Sequence, residues 1–256
     1  MPEITMRELL EAGVHFGHHA RRWNPKMAPF IFREKNGVHI IDLRQTVERL
    51  QVAFNFVEQL VRHGDTILFI GTKKSAQDAV ASEAKRSSMA YVNARWMGGM
   101  LTNFRTVESR LRRMHQLEQM QQSGEMDSLP KREQLVLLDD LKRMERNLGG
   151  MRDLRRVPAA IFVVDTRKEH LAMAEAERLD VPIIGLVDTN VDPDEVDYPI
   201  PANDDGIRSV QLICRYIADA VLDARMQNES VGTRTVAEPA PEPAYEAEAS
   251  EGGVSA

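Results

Sequence analysis

Apolar residues recur along the chain in two alternating rhythms. Thr66-Ile67-Leu68-Phe69-Ile70, Ala159–Val164 and Val181–Val187 are short continuous apolar runs, the pattern of strands buried on both faces. Val38-His39-Ile40-Ile41 and Met89-Ala90-Tyr91-Val92 are shorter runs of the same kind. Between them lie segments with helical spacing. Leu43, Val47, Leu50, Phe54, Val57 and Val61 form one stripe over Asp42–His63, and Gly64 follows as a C-terminal stop. Met6, Leu9, Leu10 and Val14 predict a first helix, and Ala76–Arg86 and Lys168–Leu179 two more. A last helix over Ile207–Arg225 carries Val210, Ile213, Ile217 and Val221, with Cys214 among them as a small core residue. This alternation predicts an α/β fold: a three-layer α/β/α domain with a mainly parallel sheet and helices on both faces.

Two further helical stretches differ in kind. In Phe104–Gln122 the apolar positions Phe104, Val107, Leu111 and Met114 are spaced 3-4-3. In Lys131–Gly149 the positions Leu137, Leu141, Met144 and Leu148, continued by Met151, are spaced 4-3-4-3. Each stripe is narrow and flanked by charge, as in a coiled-coil seam. Ser123-Gly124 and Pro130 break the chain between them. The pair predicts an antiparallel coiled-coil hairpin roughly 27 Å long. A narrow seam cannot also cover a sheet, so the hairpin is expected to protrude. The organisation expected is a first α/β part with an N-terminal arm (1–103), the hairpin (104–151), a second α/β part (152–228) and a disordered acidic tail (229–256) rich in Ala, Glu, Pro, Gly and Ser.

Charge changes this picture more than composition does. One cysteine excludes an intramolecular disulfide framework and fits a reducing cytoplasm. No apolar run approaches the ~20 residues of a membrane span, and the opening MPEITMRELLEAG lacks the apolar region of a secretory signal. The formal net charge of −6 argues against a nucleic-acid partner until its distribution is read. Glu229–Ala256 holds six acids and one arginine, whereas Arg95–Arg156 holds thirteen Lys/Arg against nine Asp/Glu. The basic surface is local.

Four places carry candidate chemistry. The first is an N-terminal arm, where His15, His18 and His19 precede Arg21, Arg22, Trp23, Asn24 and Lys26, and where Pro25 and Pro29 exclude helix. Cations interleaved with an aromatic on irregular backbone suit phosphate contact and base stacking. No Cys or carboxylate motif completes a four-ligand set with the histidines, so no metal or other cofactor is expected. The second is Gly71-Thr72-Lys73-Lys74-Ser75, which lacks the spacing of a nucleotide phosphate loop but places Lys73 and Lys74 before a helix, where an RNA backbone is accommodated. The third is Tyr91–Arg105, with Arg95-Trp96, Gly98-Gly99 and a helix start at Thr102 or Asn103; Trp96 is expected to pack. The fourth is Asp165 and Asp188, each ending an apolar strand. They are the basis of the alternative reading, a metal- or phosphate-dependent enzyme, although no nucleophile and base accompany them.

Six segments in collinear order identify a resemblance: WNPKM (Trp23–Met27), NGVHIIDL (Asn36–Leu43), LFIGTKKSAQ (Leu68–Gln77), YVNARWMGGMLTN (Tyr91–Asn103), DTRKEHLAMAEAERLDVPIIGLVDTN (Asp165–Asn190) and VDYPIPANDDGIRSV (Val196–Val210). Together they resemble the bacterial small-subunit ribosomal protein two family, from about residue 3 to about residue 226. The resemblance implies a non-catalytic, cytoplasmic component of the small ribosomal subunit. Its implied partners are small-subunit ribosomal RNA and neighbouring ribosomal proteins, including the large OB-fold protein that helps capture messenger RNA. Neither a membrane nor a homo-oligomer is expected. RNA contacts are expected at Arg21, Arg22, Trp23, Asn24 and Lys26 in the arm. Lys73, Lys74, Arg95, Asn103 and Arg105 follow, with Arg112 and Arg113 on the hairpin.

Overall fold

The computed structural model describes residues 4–234. Helix α1 (Met6–Glu11) starts at a capping box in which Thr5 and Glu8 each satisfy the other's backbone N–H. Strand β1 (Phe16–His19), two 3-10 turns (Ala20–Arg22 and Pro25–Phe30), β2 (Ile31–Lys35) and β3 (Val38–Ile41) come next. The long helix α2 (Leu43–Arg62) is capped by the Asp42 side chain on Arg44 N. The chain continues through β4 (Ile67–Ile70), α3 (Gln77–Arg86), β5 (Ala90–Val92), α4 (Phe104–Gln122), α5 (Lys131–Leu148) and β6 (Ala160–Val163). It closes with α6 (His170–Arg178), β7 (Ile183–Val187), β8 (Tyr198–Pro201) and α7 (Ile207–Arg234).

Five strands in the order β5-β4-β6-β7-β8 make an all-parallel sheet. Alternation along each strand divides its apolar side chains between two cores. Ile67, Phe69, Phe162, Ile184 and Leu186 join α2, α3 and α7 on one face. Leu68, Ile70, Ile161, Val163 and Val187 join α6, Trp96, Met100 and the buried side of α4 on the other. The expected three layers are therefore present. Strand β8 holds two prolines because it is an edge: Ala202 N–H bonds inward to Val187 O, so Pro199 and Pro201 fall on the outer side, where no ladder bond is lost.

The N-terminal arm departs from expectation. It is not irregular: β1, β3 and β2 form a small antiparallel sheet. Pro25 and Pro29 exclude α-helix but not a 3-10 turn, where Pro25 is the first residue and the Asn24 side chain accepts from Lys26 N at 3.0 Å. The last helix also runs past its expected end at Arg225 to Arg234; the rest of the predicted acidic tail lies outside the described residues.

Helices α4 and α5 pack mainly on each other and on the short turns at their ends. Val107, Leu111, Met114 and Leu117 on α4, with Leu141 and Leu148 on α5, are buried. The chain returns from α5 to the sheet through Gly149-Gly150. There a Cβ on Gly150 would overlap the Tyr91 carbonyl oxygen and come within 2.8 Å of its ring, whereas one on Gly149 would meet nothing. Gly150 thus permits the closest backbone approach to edge strand β5. Replacing it with Ala should lower stability by about 2 kcal/mol, since backbone cannot yield as a side chain can. Gly149→Ala, at an ordinary helical φ of −57, should be neutral or stabilising. Urea midpoints of the two variants check this, and equal midpoints would refute it.

Candidate nucleic-acid interface

The carboxyl ends of β4, β6, β7 and β8 converge. The Lys73 ammonium, just past β4, lies 2.9 Å from Asp165 Oδ2, 3.0 Å from Asp204 Oδ1 and 2.6 Å from Asp205 Oδ1. Burial alone would lower its pKa, but the carboxylates outweigh burial and raise it. Asp204 is almost fully buried; burial first, then Asp188 and Asp165, push its carboxyl up to about 7 against the opposing pull of Lys73. Asp165 adopts φ +66 and accepts from Lys168 N at 3.0 Å, so it turns the chain into α6. Thr72, next to Lys73, is tied through its N–H (2.9 Å) and Oγ1 (2.5 Å) to the buried Glu169 carboxylate.

The arm is seated on this same edge. His18 N–H donates to Thr189 Oγ1 at 2.8 Å, and the His18 ring lies 3.0 Å from Asp188 Oδ2. The Asp188 hydrogen bond, opposed by burial, holds the ring's pKa above its ordinary value. Asn24 N–H donates to Thr189 O at 2.8 Å. Gly17 allows the approach, because a Cβ there would stand 2.5 Å from the Thr189 methyl. Lys26 bridges Asp192 at 2.7 Å and Asp194 at 2.8 Å. Trp23 leans on His39 with ring centroids 5.2 Å apart and stays 40% exposed.

The histidines do not form a cluster of their own. His18 instead meets Asp188 and Asp204, and the three offer one nitrogen and two carboxylate oxygens within 4.8 Å of one another. That donor set suits a zinc-like ion. Three donors fall short of a four-ligand set, and the acids come from strand ends distant in sequence, Asp188 lying 170 residues beyond His18, so no local motif announces them. His15 and His19 are not part of the group.

The expected RNA-contacting residues divide into two sets. Lys73 and Lys26 hold carboxylates of their own chain, and Asn24 caps a turn. Arg21, Arg22, Lys74, Arg95, Arg105 and Arg113 are exposed and, among the described residues, form no ion pair. Arg112 meets Glu108 one turn away, at 3.1 Å on an exposed face, a pair worth little. Asn103 is exposed and its Oδ1 accepts from Thr106 Oγ1 at 2.8 Å. Trp96, as expected, is buried, and its indole N–H donates to Glu175. Glu175, Asp204 and Asp205 were not singled out from the sequence.

Strand-end carboxylates are bound up with Lys73 and the arm, while the arm, the Arg95–Arg105 loop and α4 display cations that form no ion pair among the described residues, all on an α/β fold. The family model for Ribosomal protein S2 matches residues 9–224, and the chain belongs to that family. It is a structural protein of the cytoplasmic small ribosomal subunit and not an enzyme, which closes the alternative built on Asp165 and Asp188. No described helix is long and apolar enough to cross a membrane.

The Lys73 cluster has a defined pH response. Asp204 and His18 both have pKa values raised in the folded protein. The stability they contribute is therefore full below their unfolded values and is lost as pH rises through the folded ones. Lys73→Met leaves buried carboxylates without their cation and should cost about 3 kcal/mol at pH 8. The deficit should shrink towards pH 6, where Asp204 takes up a proton. Urea denaturation at the two pH values measures it, and an equal deficit at both would contradict the assignment.

Proposed function

We propose that the chain is held in the small subunit by ribosomal RNA bound to three exposed basic elements: Arg21 and Arg22 beside Trp23 on the arm, Arg95, Asn103 and Arg105 around the Trp96 loop, and Arg112 and Arg113 on α4. Lys74 adds a fourth point of attachment. The observation that carries this reading is the separation of charge: carboxylates gather at the sheet's edge, and the outer cations, Arg112 apart, form no ion pair among the described residues. Guanidinium groups position phosphates, and Trp23 offers a half-exposed face for a base. The α4–α5 pair is read as a protruding coiled coil that carries its arginines away from the sheet.

The test uses small subunits stripped of this protein by salt. Arg21→Ala with Arg22→Ala, Arg95→Ala with Arg105→Ala, and Arg112→Ala with Arg113→Ala should each weaken rebinding. Each pair should also reduce the slope of log affinity against log salt by roughly one for every phosphate that no longer has its arginine. Rebinding with unchanged affinity and slope would remove that element from the interface.

A protein partner fits a different face. Met6, Leu10, Phe16 and Phe32 are each half or more exposed and line one groove, rimmed by Arg33, Lys35 and Arg44. An apolar floor with a cationic rim suits a segment carrying both apolar and acidic side chains. We assign this groove to the OB-fold protein that the family resemblance implies. Phe16→Ser with Phe32→Ser should lower the content of that protein in purified subunits while this chain stays bound. Unchanged content would place the docking elsewhere.

A further inference from the structure

Glu175 sits on α6, yet its carboxylate serves a distant loop. Oε1 accepts from the Trp96 indole N–H at 3.0 Å and from Gly99 N–H at 2.8 Å. Oε2 accepts from Leu101 N–H at 2.9 Å, Thr102 N–H at 3.0 Å and Thr102 Oγ1–H at 3.1 Å. The residue is 8% exposed. Burial would raise its pKa, but the backbone and indole donors outweigh burial and keep it below the ordinary value, so the acceptor is a carboxylate. Backbone N–H groups converging on one anion are the means by which loops hold phosphate. Here the anion is internal. The pinned stretch runs from Trp96 to Thr102, and its immediate neighbours are the exposed Arg95 and Asn103, with Arg105 two residues on.

We infer that Glu175 is the positioning residue of the RNA-facing loop: its five hydrogen bonds set the separation between Arg95 and the start of α4, where Asn103 and Arg105 stand. The inference rests on the reading that these three residues bind RNA. Gly98-Gly99 lets the loop coil tightly around the carboxylate, with Gly99 at φ +87, and the loop's side-chain donors to it are those of Trp96 and Thr102.

The full chain is tested on salt-stripped small subunits. Glu175→Gln keeps the shape but turns an amide N–H₂ towards the loop's own donors. Thr102→Val removes one of the five donors and leaves the carboxylate in place. The Gln variant should retain its helical content, become less protected from hydrogen exchange across residues 99–102, and rebind about tenfold more weakly, as expected when one or two phosphates are no longer held. Combined with Arg95→Ala and Arg105→Ala, it should add little further weakening, because all three changes act on the same phosphates. Added formate should partly restore rebinding of Glu175→Ala by supplying a carboxylate to the empty nest. A folded Gln variant that rebinds as wild type, while the Arg95/Arg105 variant does not, overturns the role of Glu175 and leaves the RNA interface standing. If the Arg95/Arg105 variant itself rebinds normally, the loop does not bind RNA and both readings fall. Should the Gln variant not fold, Thr102→Val decides: normal rebinding overturns the inference, and weakened rebinding with reduced loop protection supports it.

Discussion

One ammonium group holds together the edge of the sheet on which the rest of the protein is arranged. Lys73 comes from the connection after β4, Asp165 from the connection after β6, and Asp204 and Asp205 from the connection after β8. Asp188, after β7, adds a further negative charge close by. Four carboxylates so near one another repel strongly, and Asp204 is shifted to about 7 even with Lys73 present. Such a cluster contributes little net stability, since desolvation offsets most of the attraction. Its effect is to specify geometry: the loops can close only where the cation reaches all three acids. His18 joins from the arm, so the seat of the N-terminal sheet depends on the same group of charges.

Helix α6 extends this logic to the other face. Its N-cap residue, Glu169, accepts from Thr72 and so anchors the connection that carries Lys73. One and a half turns later Glu175 anchors the connection between β5 and α4. A single helix therefore fixes two loops through buried carboxylates, Glu169 accepting from the Thr72 N–H and hydroxyl and Glu175 from three backbone N–H groups, the Thr102 hydroxyl and the Trp96 indole. Charge-assisted bonds of this kind are stronger than neutral ones. The apolar residues of α6, Ala172, Met173 and Ala176, meanwhile pack on the sheet. The connection that carries Arg95 is thus held at its base, which on the proposed reading favours recognition of a shaped RNA surface over a flexible electrostatic attachment.

The parallel sheet and its helices were legible because their apolar periods are strong and uninterrupted, as in Thr66–Ile70 and in the α2 stripe. The small antiparallel sheet was not. Phe16–His19 has two histidines in four residues, Ile31–Lys35 is mostly charged, and each becomes a strand only because β3 lies between them. Strand β8 was hidden by its prolines, which an edge tolerates. At the proposed site, the exposure of Arg95 and the arm arginines was legible from residue type alone, since long charged side chains seldom bury without a partner. The pairing of Lys73 was not legible: nothing near it in sequence announces three acids from distant loops. Glu175 did leave a trace. It stands between Ala172 and Ala176 on the side of α6 that is otherwise apolar, and a charged residue in the phase of the core implies a buried partner.

A net charge of −6 is compatible with the proposed RNA interface because the sum conceals two populations of charge. Lys73, Asp165 and Asp204 are paired at short range and largely buried, with Asp205 closing the group from the exposed side, so their fields are largely cancelled within a few ångströms and poorly reached by salt. Arg21, Arg22, Arg95 and Arg113 are exposed and, among the described residues, form no ion pair, so their fields extend about a Debye length into solvent, where the proposed interface would place an RNA backbone. Rising salt therefore acts on the second population well before the first. On the proposed reading, salt that releases the protein from RNA therefore leaves the strand-end cluster, and with it the geometry of the loops it anchors, intact.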